Sequence, residues 1–547
     1  MASPEFPVPD LLSADPTVRV DLGVLRQGLV FAFAAGASQE VFDGALASAR
    51  LAPSAWQRAS FARDLYLEEL VDKCFEVRVE KTRYAASTRY LTRIVGEPPR
   101  DPRDVETRRE VLRELSGEVS GEGRRQLERI YLAVVRLRAL LCAPRQPSPR
   151  ARRMEILRAT RELFDHLAGG FEGATSALAR LRAFGAAVVA GDGYRRLAAL
   201  LDHEENQAAL DLRVRVGSDG EVRAMQIVGI RENKDNPFYA SMFRRLIVRF
   251  VLFLRGYRTT SGEVAERVLS DVFSGVEDEV AICFQLVGDL EVVLGALGFR
   301  DRAAAAGLAM TLPVLATPED ALEVEGLFNP LLLAAGVKPS PCDLRAGARA
   351  IVLVTGPNSG GKTRLLQAIA ITQLFAECGF FVPARAARVP RASGLFASLF
   401  EEARADQPEG HLGMELLRIR RCFDELDAGA LVVLDELCSG TNPSEGEEIA
   451  RLVLSLLPEL GVRAFVTTHL LKFADSLAHE FRVSGAGGSL EFLQVELDDR
   501  ERPTYRFVPG VARTSLAHKT AERLGVTREE LLQRIAAKRA ARLAAGS

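Results

Sequence analysis

The residues best suited to chemistry begin with the loop GPNSGGKT at Gly356–Thr363. It fits the pattern GxxxxGK followed by Ser or Thr, in which backbone amides and a lysine surround phosphate groups. We expect Lys362 to reach the terminal phosphates and the Thr363 hydroxyl to ligate magnesium. The predicted nucleotide contacts are all the residues of the loop: Gly356, Pro357, Asn358, Ser359, Gly360, Gly361, Lys362 and Thr363. The loop therefore predicts a site for ATP with Mg²⁺.

Two acidic residues end the run LVVLDE further along the chain. Asp435 is placed to hold the magnesium through water, and Glu436 to orient and deprotonate the attacking water. Such a pair is weak evidence alone and strong evidence downstream of a phosphate loop. Another run, RAFVTTH, ends in Thr468 and His469. A lone histidine is usually structural, but His469 closes a predicted strand, so we assign catalysis to Lys362, Glu436 and His469.

Three apolar runs must position these groups. AIVLVT before the loop predicts a buried strand, and RLLQAIAITQLFAE after it predicts a helix. An ordinary glycine-rich turn would not need both flanking elements, so the phosphate loop is the better interpretation. LVVL and RAFVT predict two further strands that end at the same edge of the sheet. The pattern therefore predicts an α/β P-loop domain.

Composition limits the class of protein. A chain of 547 residues with 48% hydrophobic content implies several domains with substantial cores. Lys plus Arg is 71 and Asp plus Glu is 73, so any nucleic-acid site must be a local patch. Seven cysteines without CxxC pairs indicate reduced thiols rather than disulfides or a zinc site. We find no secretory or membrane segment and expect a cytoplasmic protein.

The patterns divide the chain into four consecutive segments. These are a lead-in at 1–60, a mainly α-helical core or lever region at 61–320, the ATPase domain at 321–526 and a helix at 527–547. The first 20 residues contain four prolines and are interpreted as flexible. The C-terminal helix has four apolar residues on or near one face, which serve either a dimer contact or packing on its own domain: Leu531, Leu532, Ile535 and Leu543.

Within the helical region, the period changes to two near 210–230, which predicts a small β-hairpin. A helix is expected to begin near Pro102, with Asp101 as its N-cap. Two longer helices are expected at 239–258 and 278–299, and both are too interrupted by charge to span a membrane. The fold prediction is therefore a helical region with a hairpin insertion, followed by an α/β domain.

The most basic segment is 124–161, with eleven arginines against Glu128 and Glu155. It includes RQPSPRARR, which we interpret as an arginine-rich loop. A contact with a phosphate backbone and a solvated surface both explain this excess of charge, and the sequence leaves both open. The candidate nucleic-acid contacts are Arg145, Arg150, Arg152 and Arg153.

Four blocks, GPNSGGKT, LVVLDELCSGTNPSEG, VTTHL and PTYRFVPGVARTSLAHKTAERLG, resemble the MutS family of DNA-repair ATPases, which are ABC-type. They follow the family order across roughly 326–526, and the resemblance upstream is looser. VPA at Val382 and DELCSGTNP are most similar to the bacterial branch linked to recombination control and ribosome rescue. That branch carries a nicking Smr domain, for which the chain, ending at Ser547, leaves no room. The resemblance implies a homodimer that binds DNA and sandwiches ATP and Mg²⁺ between its subunits.

Three departures from the family pattern qualify these expectations. No FxE occurs before residue 300, so mismatch reading by that route is not expected. The stretch that presents a serine to the partner's γ-phosphate, Asp406–Leu416, is shortened and has Gly410 or His411 at the hydroxyl position. The final block reads SLAHK instead of a serine followed by an aromatic residue and a glycine, which leaves the adenine contact unassigned.

Three functions remain open at this point. The leading hypothesis is an ATP-driven clamp on branched or distorted DNA, acting in repair or recombination control. The second is an ATPase that acts on ribosomes or structured RNA. The third is a nucleotide-gated interaction protein that binds ATP and barely hydrolyses it.

Overall fold

In the computed structural model, the described residues are 7–117, 121–143, 149–205, 209–216, 222–231, 261–399, 411–437, 442–484, 490–513 and 526–545. They form two compact units, each built from two separate stretches of the chain. The helical unit contains 1–51 and 110–294, and the sheet unit contains 52–109 and 295–547. The sequence patterns predicted consecutive segments instead, because periodicity does not show where a chain leaves a unit and returns.

The helical unit is built from amphipathic helices. Gly121–Cys142, for example, buries Leu127, Ile130, Val134 and Leu137, which recur at the spacing of one helix face. The described helices of this unit are Leu22–Ala35, Gln39–Ala47, Gly121–Cys142, Pro149–Gly169, Leu178–Ala190, Asp192–Glu205 and Ser261–Ser274. Two more helices, Pro102–Glu114 and Glu277–Ala305, contribute residues to both units.

The predicted β-hairpin is confirmed. Ala209–Val216 pairs with Val222–Arg231 in antiparallel register, with two register shifts along the pair. The SDG sequence between the strands lies outside the described residues, as does the helix expected at 239–258. The helix expected at 278–299 is confirmed within Glu277–Ala305.

The interpretation of the N-terminal residues as flexible is wrong from residue 7 onward. Leu11 and Asp10 are fully buried, and the backbone N–H of Leu11 donates to Asp289 Oδ2 at 3.1 Å. The Arg19 guanidinium pairs with the same carboxylate at 2.6 Å. Burial raises the pKa of Asp289 to about 6, and Arg19 opposes that rise. Prolines suggested a loose segment, but buried polar partners far along the chain hold it.

A six-stranded sheet forms the centre of the sheet unit. Its first five strands are parallel and its last pair is antiparallel. The central strand Ile351–Thr355 is buried along its whole length, as an apolar run in a parallel sheet requires. The strand order is Leu395–Ser398, Leu431–Leu434, Arg463–Thr467, Ile351–Thr355, Leu490–Leu497 and Pro503–Pro509. The α/β prediction for this part of the chain agrees with the strands observed.

A smaller sheet and several helices complete the sheet unit. Four strands pair in the order Val314–Ala316, Ala386–Pro390, Leu322–Leu327 and Cys342–Ala346. The described helices are the short 3-10 turn Arg58–Ser60, then Leu67–Cys74, Thr88–Gly96, Pro330–Ala334, Lys362–Cys378, His411–Glu425, Pro443–Leu460, Leu471–Ser484 and Arg528–Ala545. A hairpin of Val77–Val79 and Thr82–Tyr84, which the sequence patterns did not predict, lies between the first two α-helices.

Residues 52–109 pack against the edge strand Leu395–Ser398. The Ser60 hydroxyl donates to the Leu395 carbonyl at 2.8 Å, and Asp64 Oδ1 accepts the backbone N–H of Leu399 at 2.7 Å. Further on, Asp101 Oδ1 accepts the Arg103 backbone N–H at 2.8 Å, which confirms the N-cap of the helix that begins at Pro102.

Two helices concern the expectations about a membrane span and about a dimer contact. The expectation that charge interrupts the helix at 278–299 too much for a membrane span is wrong, because Glu277–Ala305 is long and apolar enough to cross a bilayer. Its most apolar window is nevertheless wholly buried in the protein, as in the core helix of a globular fold. In Arg528–Ala545, Leu531, Leu532 and Ile535 are 43%, 54% and 47% exposed. About half of each of these side chains is thus open to solvent, and the choice between a dimer contact and packing on the chain's own domain stays a prediction.

Candidate functional site

The loop Gly356–Thr363 joins the central strand to the helix Lys362–Cys378, as its pattern predicts. A Cβ atom at Gly356 or Gly360 would lie 2.6 or 2.8 Å from Val495 Cγ2, so neither position has room for a side chain. Gly361 has φ +85° and no side chain caps the helix that follows it. The first helical N–H groups are thereby left for an anion, which is the arrangement that binds phosphate.

Lys362 is buried and turned back on its own loop. Its Nζ donates to the carbonyls of Gly356 at 3.0 Å and of Pro357 at 3.2 Å. Burial lowers the pKa of Lys362, while Glu436 and Asp435 oppose that shift. A desolvated ammonium inside a glycine-rich loop gains most from a negatively charged ligand. This environment fits the predicted phosphate contact.

The predicted magnesium ligands lie together. The Thr363 hydroxyl donates to Asp435 Oδ2, although the two residues come from different elements. Asp435 follows the buried strand Leu431–Leu434, and its backbone N–H donates to the Ser398 carbonyl at 2.9 Å. A hydroxyl and a carboxylate are the oxygen ligands that Mg²⁺ prefers, so this pair fits the ion. The assignment itself stays a prediction.

Glu436 has an unusual backbone conformation. Its φ is +51°, a left-handed value that costs a residue with a side chain about 1–3 kcal/mol. The Glu436 backbone N–H donates to Thr467 Oγ1 at 2.8 Å, and the same hydroxyl donates to Asp435 Oδ1 at 2.5 Å. The two acidic residues predicted from LVVLDE are therefore tied to the end of the next strand.

His469 lies where its strand ends, as expected. Thr468 donates its backbone N–H to the Val354 carbonyl of the central strand at 3.2 Å, and His469 itself is half-buried. The strand ends that carry the acids, the histidine and the loop thus meet at one edge of the sheet. The proposed role of His469 as a γ-phosphate sensor stays a prediction.

A cavity of about 590 Å³ opens beside the loop. Lys362 and Thr363 are among the residues that line it. Its lining also includes residues that the sequence interpretation did not assign: Leu327, Phe328, Leu332, Val337, Lys338, Pro339, Tyr505 and Phe507. The Tyr505 ring would lie 3.2 Å from a Cβ atom on Gly361, so an aromatic surface adjoins the phosphate loop. Tyr505 lies in the PTYRF part of the last motif block, upstream of the SLAHK residues, which leave the adenine contact unassigned.

Two of the four candidate nucleic-acid arginines make contacts inside the helical unit. Arg150, Arg152 and Arg153 lie in the first turn of the helix Pro149–Gly169 and not in a loop. Arg152 is 3% exposed, and its guanidinium donates to the carbonyls of Leu140, Leu141, Phe33 and Ala32. These carbonyls belong to the last turns of the helices Leu22–Ala35 and Gly121–Cys142, where a cation is favourable. The expectation that Arg152 contacts phosphate is therefore wrong in this structure.

Arg153 is also engaged inside the helical unit. Its guanidinium lies 5.8 Å from the centre of the Phe33 ring, donates to the Ala34 carbonyl at 3.2 Å and pairs with Glu266 at 3.5 Å. Arg150 is exposed, and Arg145 lies outside the described residues. Of the four candidates, Arg150 is the described residue that stays accessible to a phosphate.

All seven other arginines of the basic segment face carboxylates. The pairs are Arg124–Glu128, Arg125–Glu122, Arg129–Glu122, Arg136–Glu162, Arg138–Asp43, Arg158–Glu155 and Arg161–Asp202. Most of these acids lie outside 124–161, so a count of charges within the segment overstated its positive field. Acids from elsewhere in the chain neutralise much of the predicted patch.

We expect Arg152→Gln to destabilise the protein by about 2–4 kcal/mol, because it leaves buried helix-end carbonyls without donors. Arg150→Gln should stay within about 0.5 kcal/mol of the parent chain. Urea unfolding of both variants measures the difference. Equal stability of the two would show that the Arg152 contacts do not hold these helix ends.

Two stretches that depart from the family pattern lie wholly or partly outside the described residues. Residues 400–410 lie outside the described part, and the helix His411–Glu425 follows them. The SLAHK sequence also lies outside the described residues. The question of the serine at Gly410 or His411 therefore stays as the sequence left it.

The fold and the site define an α/β P-loop nucleotide-binding domain. Residues 352–540 match the family model for MutS domain V, which is a P-loop ATPase domain. Three relatives share the printed name "Endonuclease MutS2". The protein of Thermus thermophilus is 30% identical over 51% of this chain and 36% of its own length. That of Streptococcus sanguinis is 26% identical over 62% and 45%, and that of Thermomicrobium roseum is 35% identical over 34% and 23%.

Over the part that these matches cover, the chain is similar to the MutS family and, within it, to the MutS2 branch. The resemblance read from the four motif blocks is confirmed. The matches cover less than half of the length of these relatives. Their printed name includes an endonuclease activity, so the expectation of an ATPase without a nuclease domain stays a prediction.

Proposed function

We propose that this chain is an ATP-dependent DNA-binding protein of the MutS type, a cytoplasmic dimeric clamp on branched or distorted DNA. It hydrolyses ATP to change state in repair or recombination control. The observation that carries the proposal is the meeting of Lys362, Thr363, Asp435 and Glu436 at one edge of the parallel sheet. Binding alone would not need a carboxylate held beside the magnesium ligands, whereas hydrolysis does.

The chain's own residues divide the work as follows. Lys362 binds the terminal phosphates, and Thr363 with Asp435 holds the cation. Bound ATP and Mg²⁺ supply the phosphoryl group and the charge that activates it. Glu436 accepts the proton of the attacking water at its carboxylate, and His469 contacts the γ-phosphate.

The cavity beside the loop offers a binding surface for the adenine base of ATP. Tyr505 and Phe507 offer aromatic surface, and Val337 and Pro339 offer apolar surface next to the loop. An adenine ring stacks well on such surfaces. We therefore assign the adenine contact to Tyr505, with Phe507 beside it.

Dimerisation follows from the ABC-type arrangement, in which each nucleotide lies between a phosphate loop and the partner's signature stretch. Symmetry then requires two equivalent sites. The exposed face of Leu531, Leu532 and Ile535 offers additional apolar surface for the same contact. Light scattering of the Glu436→Gln variant with ATP should give the mass of a dimer, and a monomer at micromolar protein would count against the clamp.

One observation favours the third hypothesis over the first. The arginines that suggested a nucleic-acid surface largely face carboxylates or helix-end carbonyls. A nucleotide-gated interaction protein would not need a basic patch. It would, however, turn over ATP slowly with every stimulant.

ATPase assays with competing stimulants separate the three functions. We expect branched DNA to raise the rate more than linear duplex does, with ribosomes giving no increase. Stimulation by ribosomes alone would favour the RNA-directed alternative. A slow rate that no stimulant changes would favour the interaction protein. A salt series with Arg150→Gln adds a second readout, because losing one phosphate contact flattens the log–log salt slope by about 0.9.

A further inference from the structure

The Thr467 hydroxyl bonds to the carboxylate of Asp435 and to the backbone N–H of Glu436. Thr467 is fully buried as the last residue of the strand Arg463–Thr467. Its Oγ1 donates to Asp435 Oδ1 at 2.5 Å and accepts the backbone N–H of Glu436 at 2.8 Å. A hydroxyl can do both at once because it carries one donor and two acceptor sites.

Each of these two bonds constrains a different feature. Asp435 accepts from Thr467 through Oδ1 and from Thr363 through Oδ2, so its carboxylate is held at both ends. The bond from the Glu436 N–H fixes a residue whose φ of +51° is otherwise unfavourable. Without the Thr467 hydroxyl, that conformation would leave the N–H without this acceptor. The Thr467 hydroxyl thus fixes the backbone position from which the Glu436 side chain extends.

The location of Thr467 links these acids to the next strand. The adjacent residue, Thr468, donates its backbone N–H to the Val354 carbonyl of the central strand, and His469 follows. A displacement at this strand end would therefore move the acceptor of the Glu436 N–H. The coupling needs the hydroxyl of Thr467 and not its methyl, which packs in a buried strand as a methyl of valine would.

We propose that Thr467 is a positioning residue for ATP hydrolysis. Its hydroxyl holds the Asp435 carboxylate and the left-handed backbone of Glu436, and so sets the geometry of the general base. Thr467 itself does not contact the nucleotide. The inference rests on the proposed ATPase function, and it assigns a role to a residue that the sequence interpretation passed over in favour of Thr468 and His469.

The test compares two substitutions of nearly equal size. Thr467→Val removes the hydroxyl and keeps the β-branched shape, whereas Thr467→Ser keeps the hydroxyl. We expect Thr467→Val to lower kcat by about 10- to 100-fold, since hydrogen bonds to charged groups are the strong ones. Its Kd for ATP should stay within about threefold of the parent value, and Thr467→Ser should retain most of kcat. A matched control is Thr372→Val, since Thr372 is also a buried threonine but donates to the Ala368 carbonyl within its own helix.

A second readout does not depend on turnover. In the nucleotide-free protein, the amide of Glu436 should exchange hydrogen for deuterium faster in Thr467→Val than in the parent chain or Thr467→Ser. Mass spectrometry of a peptide covering residues 431–437 measures this rate. The exchange measurement stays informative even if Thr467→Val is less stable. Urea unfolding and the Thr372→Val control show how much of the faster exchange comes from a lower stability of the whole fold.

The outcomes are distinct. Unchanged exchange together with kcat within twofold of the parent would overturn the proposal. An equal loss of kcat and of ATP affinity would also overturn it, since a merely structural role predicts that result. The proposed function fails if the parent chain does not hydrolyse ATP, or if Glu436→Gln does not abolish that activity. The exchange experiment would still decide whether Thr467 holds Glu436, because it does not depend on turnover.

Discussion

Replacing Glu436 by glutamine should lower the rate of ATP hydrolysis by about 100- to 10,000-fold and leave ATP binding intact. The amide keeps the size of the side chain but cannot accept a proton from water. Binding should survive because Lys362, Thr363 and the loop amides do not involve the Glu436 side chain. Phosphate release in single-turnover conditions measures the first effect, and calorimetry with ATP measures the second.

Glu459→Gln is a matched control for this substitution. Glu459 is an exposed carboxylate on the helix Pro443–Leu460, so this variant should hydrolyse ATP at the parent rate. A Glu436→Gln variant with more than a tenth of the parent rate would mean that another group takes the proton. His469 would then be the first residue to examine, because it lies at the same sheet edge.

Glu436, the proposed general base, has a backbone conformation that contacts with neighbouring residues hold in place. Glu436 combines a left-handed backbone with an N–H bond to a different strand. Strain of this kind persists only where neighbouring contacts fix it, and such sites are often functional. The proposed catalytic site therefore depends on hydrogen bonds between strand ends as much as on the acidic pair itself.

The candidate site could be predicted where the residues suited to nucleotide chemistry lie within a recognisable pattern of consecutive residues. A buried strand, a glycine-rich turn and a helix are all visible in consecutive residues around Lys362, and LVVLDE follows the same logic. Parallel strands bring their carboxyl ends to one edge, so the meeting of Thr363 and Asp435 could be expected before it was seen. The long helix around 278–299 and the hairpin near 210–230 were predictable from period alone.

What the sequence could not show are contacts between residues far apart in the chain. Asp10 and Leu11 looked like part of a loose, proline-containing segment, yet Asp289 and Arg19 hold that segment in place. Arg152 looked exposed because prolines and arginines surround it, but it closes the ends of two helices. Local composition carries no information about such partners.

Thr467 and Tyr505 illustrate a second kind of limit. Both are present in blocks that drew attention, VTTHL and PTYRF, and neither differs in type from many structural residues. A threonine at the end of a strand is usually a strand former, and a tyrosine in a β-hairpin usually packs on its neighbours. The proposed roles of the two residues in catalysis and binding depend on the positions of Asp435, Glu436 and the phosphate loop.

Replacing Lys362 by alanine should weaken ATP binding by roughly 100-fold or more, below what calorimetry at micromolar protein detects. Its ammonium is predicted to meet two phosphates, and each charge-assisted bond contributes about 1.5–3 kcal/mol. The Lys362 ammonium is buried and poorly solvated, which lowers its pKa and means that it gains strongly from a phosphate ligand. Binding and hydrolysis should be lost together, unlike in Glu436→Gln.

A comparison with Tyr505→Ala distinguishes the contact with the adenine base from the contact with the phosphates. Removing a ring from the cavity wall should weaken ATP by about 10-fold through lost stacking, while inorganic triphosphate should bind as it does to the parent chain. Lys362→Ala should instead weaken ATP and triphosphate alike, because its contact is with phosphate alone. Lys362→Met supplies a variant that keeps the side-chain volume, and urea unfolding of both lysine variants excludes general loss of structure. Parent-like binding of ATP by folded Lys362→Ala would remove the phosphate-loop assignment, and with it the proposed ATPase.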